Sequence, residues 1–201
     1  MAINIPASAP SDFTELPAGT YPAVIRGVWD IGRHKSEWQG VVKINHQVII
    51  SYEFDEAIPD GKYEGDRYTV NTWVNLPPAY DERSKFIKIR NAVEGRVTVA
   101  EDYIDYDEQA LVGRNVLVAV EHTPKGKPKI VTVSSPMKGM TPLSPVNESA
   151  MPEWVKTNFL DKAIVEETLA APAQPATPTQ PVQPSNDFPP TEAYTDDLPF
   201  G

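Results

Sequence analysis

Ile44-Asn45-His46-Gln47-Val48-Ile49-Ile50-Ser51-Tyr52-Glu53-Phe54-Asp55 is the most regular stretch of the chain. Ile44, His46, Val48, Ile50, Tyr52 and Phe54 fall on one side of a two-residue repeat. Asn45, Gln47, Ile49, Ser51, Glu53 and Asp55 fall on the other. An apolar side against a mostly polar one predicts an antiparallel strand with one face on a core and the other in water.

Strand signals continue on both sides of it. Upstream, Tyr21 to Ile31 predicts a strand after the turn Pro17-Ala18-Gly19-Thr20. Tyr21, Ala23, Ile25, Trp29 and Ile31 are expected on one face, and Val24, Arg26, Val28 and Asp30 on the other. Gly27 predicts a bulge or a close backbone approach. Residues 32–43 are read as a basic loop. Downstream, Pro59-Asp60-Gly61-Lys62 is a turn, and Arg67 to Leu76 a third strand. Tyr68, Val70, Thr72, Val74 and Leu76 are its expected core face; Trp73 stands among Thr69, Asn71 and Asn75 on the other.

After Pro77-Pro78, Asp81 is read as the cap of a helix of about a dozen residues that Gly95 closes. Phe86, Ile89 and Val93 would face the core, with Lys85, Lys88 and Arg90 solvated. Val97 to Asp107 is an acidic connector that lacks the spacing and glycine turn of a calcium loop. Asn115–Glu121 and Lys129–Ser134 are the last strands, joined by a loop with Lys125 and Lys127. Ser149–Leu169 predicts an amphipathic helix with Trp154, Leu160 and Ile164 as apolar members. It would dock on the body, on a partner, or on another copy in a homo-oligomer.

The expected fold is therefore mainly β: five antiparallel strands, with one helix between the third and fourth. That order matches the OB-fold, a Greek-key barrel. The domain plan is a lead-in over 1–18, a barrel over 19–140, the helix over 149–169, a Pro-rich linker over 170–190 and an acidic tip over 191–201. In the linker Pro172, Pro175, Pro178, Pro181 and Pro184 recur at the period of polyproline II. At ~3.1 Å per residue, that linker reaches about 60 Å.

The net charge of −10 is unevenly spread. Up to Asn147 there are 16 Lys and Arg against 19 Asp and Glu; from Glu148 onward there are 2 against 9. The near-neutral body is thus able to carry a basic groove. There is no cysteine, which suits a reducing cytosol and leaves no thiolate metal site or disulfide. No signal peptide and no apolar run of membrane-spanning length is read. His34, His46 and His122 are scattered, so no metal site and no cofactor are expected. No phosphate loop or serine elbow occurs.

Tyr194-Thr195-Asp196-Asp197-Leu198-Pro199-Phe200-Gly201 is an apolar tip behind two carboxylates, on a linker too polar to fold. Asp196, Asp197, Leu198, Pro199 and Phe200 are the expected partner-binding residues. Leu198 and Phe200 would fill a pocket, and the carboxylates would meet Lys or Arg on its rim. This ending resembles that of bacterial and phage single-stranded-DNA-binding proteins. The resemblance spans about eight residues. It differs in having two Asp rather than a longer run, and in Gly201 after the Phe. It implies a tail that recruits replication, recombination or repair proteins, and a bacterial cytoplasm as the setting.

In an OB-fold, oligonucleotides cross strands two and three, flanked by the loops joining strands one to two and four to five. Single-strand binding needs cations for phosphates and flat rings for bases. The candidates are Trp38 and Trp73 for stacking, and Arg33, Lys35, Lys43, Lys125, Lys127 and Lys129 for phosphates. The expectation is a non-enzymatic single-stranded-DNA-binding protein. The alternatives are a protein-only adaptor with a small barrel, and a metal-dependent nuclease.

Overall fold

The computed structural model describes residues 14–164, apart from the Trp38 side chain. The first part of the lead-in, the end of the 149–169 segment, the linker and the acidic tip with Asp196, Asp197, Leu198, Pro199 and Phe200 lie outside the described residues. The described residues belong to one unit of the chain, Met1–Thr168.

Five antiparallel strands form one open sheet: β1 Gly19–Trp38, β2 Val41–Ala57, β3 Arg67–Leu76, β4 Asn115–His122 and β5 Pro128–Ser134. Their order across the sheet is β3-β2-β1-β4-β5. The edge strands β3 and β5 approach each other without sharing a ladder. Helix α1, Lys85–Glu94, lies between β3 and β4 in the chain, as expected, and packs on both and on β5.

The expected basic loop at 32–43 is not a loop. β1 and β2 continue as a two-stranded ribbon whose last pair is Trp38 with Val41. Gln39 and Gly40 make the turn, both at positive φ (51° and 76°). Two such residues give a primed turn, whose twist matches that of the strands it joins. Gly32 and the charges after it looked like an ending; the ladder runs through them because the turn lies further on.

The bulge expected at Gly27 is present, and it changes the faces of β1. Ile25 pairs with Tyr52 and Gly27 with Ser51, so Arg26 is an extra residue. One added residue reverses the side chains that follow it, until a second extra residue, Ile31 between Asp30 and Gly32, shifts the register again. Ala23, Ile25 and Val28 therefore share the main core, while Trp29 and Ile31 join a second cluster with Ile49 and Val155. The expected grouping of Trp29 and Ile31 with Ile25 is thus corrected.

The main core lies between the sheet and α1: Val48, Ile50, Tyr52 and Phe54 of β2, Tyr68, Val70 and Val74 of β3, and Phe86, Ile87 and Ile89 of α1. Leu16 from the supposedly polar lead-in is buried there too. Ser84, not Asp81, caps α1: its Oγ accepts from the N–H of Phe86. Asp81 accepts from the N–H of Arg83 in the preceding turn. Gly95 ends the helix in the left-handed region, its N–H on the Asn91 carbonyl. Arg90 is buried rather than solvated, paired with Glu94 at 2.7 Å and seated 3.7 Å over the Tyr106 ring. Its Nη1 donates to the Asp102 carbonyl, tying down part of the acidic connector.

The opposite face of the sheet, expected to be wet, is half covered. The segment 136–164, here called the strap, crosses it. Ser149–Leu169 is not one helix within the described residues. Helix α2 is Glu153–Asn158, followed by a 3-10 turn at Leu160–Lys162. Val155 is the buried member, with Met151 and Phe159 packed beside it; Trp154 and Leu160 are exposed. Met151, Val155 and Phe159 follow the four-residue helical step, and they, not Trp154 and Leu160, form the docking stripe.

Candidate nucleic-acid interface

Trp73 stands on the outer face of β3, opposite Ile49 of β2, and 45% of its surface is exposed. Alternation along β2 places Lys43, Asn45 and Gln47 on the same face as Ile49. Cross-strand pairing adds Ser36, opposite Lys43, and His34, opposite Asn45. Short polar contacts order this strip. Gln47 Nε2 donates to Asn75 Oδ1 at 2.8 Å, and Asn45 Nδ2 donates to Ser36 Oγ at 3.2 Å. His34 Nε2 bonds the Ile31 carbonyl at 2.8 Å.

Phe159 of the strap completes the surface. Its ring centroid is 5.8 Å from Trp73, 6.4 Å from His34 and 6.2 Å from Trp154. None of these is a parallel stack, the interplanar angles being 53°, 77° and 78°. Edge-on geometry is one of the favourable arrangements of an aromatic pair.

The expected phosphate-binding residues are not all brought together. Lys43 shares the face of Trp73; Arg33 and Lys35 alternate onto the reverse of the ribbon. Trp38 closes the ribbon opposite Val41. Lys125, Lys127 and Lys129 lie beyond or opposite the other end of β1, since Gly19 pairs with Val120 and Glu121 with Lys129. The two basic segments therefore sit at opposite ends of β1. Lys127 is paired with Glu15, and Lys125 and Lys129 are exposed. Lys85, exposed at the start of α1, donates to Thr72 Oγ1 at 2.6 Å. Desolvation, and then the neighbouring charge of Lys129, depress its pKa.

The strap is latched at Glu53, a fully buried carboxylate on the outer face of β2. Its Oε1 accepts from the N–H of Val146 at 2.9 Å and from Arg67 Nη1 at 3.2 Å. Its Oε2 accepts from the N–H of Asn147 at 3.0 Å and from Asn147 Nδ2 at 2.8 Å. Burial alone would raise this carboxyl, but the backbone N–H groups of Asn147 and Val146, with the Asn147 amide and Arg67, outweigh it. The net pKa lies below the ordinary glutamate value. Farther along, Trp29 Nε1 donates to the Ser149 carbonyl at 2.8 Å, and the N–H of Ile164 to the Arg33 carbonyl at 2.8 Å. Beside the latch, Arg26, Arg67, Thr69 and Asn147 help line a pocket of about 270 Å³.

No protein-family model matches the chain, and no curated protein does. The reading of the surface therefore rests on its own chemistry. Among the described residues no group of three or more His, Asp or Glu is placed to hold a metal ion. No described helix is long and apolar enough to cross a membrane.

Sequence reasoning missed Trp154 and Phe159 as members of this surface, and Glu53 as the latch. The Met151-Val155-Phe159 step carried a signal for the docked stripe. Nothing local signals that Phe159 meets Trp73, because that contact joins segments far apart in the chain.

Proposed function

We propose that the chain is a non-enzymatic single-stranded-DNA-binding protein of phage type. It coats unpaired strands with little sequence preference in a bacterial cytoplasm, and recruits replication, recombination or repair proteins through Asp196, Asp197, Leu198, Pro199 and Phe200. The half-exposed Trp73 indole, on one face with Lys43 and His34, carries this reading. A flat ring and a cation on one face, about 20 Å apart along β2, offer an unpaired strand both of its needs, because every base has a face to stack and every linkage a phosphate. The strand order, with a helix between β3 and β4, supports an OB-type barrel. In that fold the outer face of β2 and β3 is where oligonucleotides lie.

Intrinsic tryptophan fluorescence tests it. Oligo(dT) should quench the emission at low salt, and added salt should reverse the quenching. No quenching and no salt-sensitive binding would reject the proposal. Removing 192–201 should abolish capture of protein partners and leave DNA binding intact.

One observation favours a second reading, a protein-only adaptor. The strap covers Trp29 and Ile31 of β1 and Ile49 and Glu53 of β2 on the outer face, which narrows the surface left for a nucleic acid. That reading predicts no response to oligo(dT), with partner capture through the tip unchanged.

A further inference from the structure

The strap brings an exposed aromatic ring to the same place as Trp73. Trp154 is 42% exposed and Trp73 45%, and both rings contact Phe159. Burial does not account for Trp154, because Val155 and Phe159 already provide the apolar grip of this segment on Trp29, Ile31 and Ile49. Nor is its position loosely set. The Glu53 latch, the Trp29–Ser149 bond and the Ile164–Arg33 bond hold the strap on both sides of α2. Two half-exposed indoles are thus fixed about one half-buried phenyl ring before any ligand arrives. Fixing both in advance lowers the entropy lost on binding.

We infer that Trp154 is a second base-stacking residue, and that the strap is part of the nucleic-acid surface rather than a cover over it. Phe159 acts as a positioning residue, holding Trp73 and Trp154 at a common site. The ligand class is an unpaired strand, since only bases free of a duplex stack offer their faces to both rings. This rests on the single-stranded-DNA reading above.

The test measures binding of a fluorescein-labelled oligo(dT) to the full chain at low salt. Trp154→Ala and Trp73→Ala should each weaken binding about five- to 150-fold, the loss expected for one stacked base. Trp154→Phe should recover much of the loss, because it keeps an aromatic face. Ultraviolet cross-linking should place the oligonucleotide on the peptide containing Trp154. Glu53→Gln, which puts an amide N–H₂ against the strap's donors, should also weaken binding although residue 53 is buried. If Trp154→Ala binds as the unmodified chain does while Trp73→Ala is weakened, the inference falls and the proposed function stands. Tighter binding by Glu53→Gln would make the strap a cover and overturn the inference. If the unmodified chain fails to bind, the proposed function fails and takes this inference with it.

Discussion

On the inner face of β2, Val48, Ile50, Tyr52 and Phe54 meet β3, α1 and β4 in one core. On its outer face, Ile49 and Glu53 are equally buried, but by chain that arrives about 100 residues later. The inner face is closed by apolar contact. The outer face is closed by a small apolar cluster plus a carboxylate with four hydrogen bonds. Apolar contact has no direction and is insensitive to pH; a buried carboxylate is held only while it is ionised and fully partnered. The two faces should therefore fail under different stresses.

The largest effect belongs to the inner face. Phe54→Ala should destabilise the fold by about 3–5 kcal/mol, the usual loss for a fully buried phenyl ring. Urea denaturation measures it. A loss no larger than that of an exposed substitution would mean that the inner core is misread.

Acid should act on the outer face first. The folded Glu53 pKa lies below its unfolded value, so the folded state binds fewer protons there. Its stabilisation is complete above the unfolded glutamate pKa, roughly 4.3, and is lost as pH falls through the lower folded value. Hydrogen exchange of the strap amides, Val146 and Asn147 above all, should accelerate in that acid window before those of β2. Uniform loss of protection on both faces would remove the distinction.

The two ends of β1 separate next. Lys43→Gln should weaken oligo(dT) binding and reduce the salt slope by about 0.7, the value for one phosphate contact on a single strand. Lys125→Gln, at the far end, should change both less. An equal effect at the two positions would show that the strand reaches the β4–β5 loop as well.

The smallest effect is at the ribbon turn. Gln39 sits at φ 51°, where Asn is the better-tolerated side chain. Gln39→Asn should stabilise the chain by a few tenths of a kcal/mol, about the scale of a good turn residue, seen as a small rise in melting temperature. A fall would mean that the Gln side chain has a role of its own.

The sequence alone determined the inner half of this protein. β3 from Arg67 to Leu76, the core positions Val48, Ile50, Tyr52 and Phe54 of β2, the place of α1 and its end at Gly95 all follow from periodicity and local turn chemistry, whereas Ile44 and His46 of the same repeat lie on the ribbon, outside the core. Those signals act between residues a few positions apart, so they can be read along the chain. The bulge at Gly27 was legible as well, but its consequence for Trp29 and Ile31 depended on which residue β2 set opposite it. Arg90 looked solvated because its stacking partner, Tyr106, and its carbonyl partner, Asp102, come from the connector. The surface around Trp73 shows the same limit. An indole among polar neighbours predicted an exposed ring, and the ring is exposed. Tertiary structure alone decided that Phe159 and Trp154 join it, that Glu53 latches the strap, and that the two basic segments part to opposite ends of β1. Those outcomes depend on which distant segments share a face, and no short-range pattern encodes that.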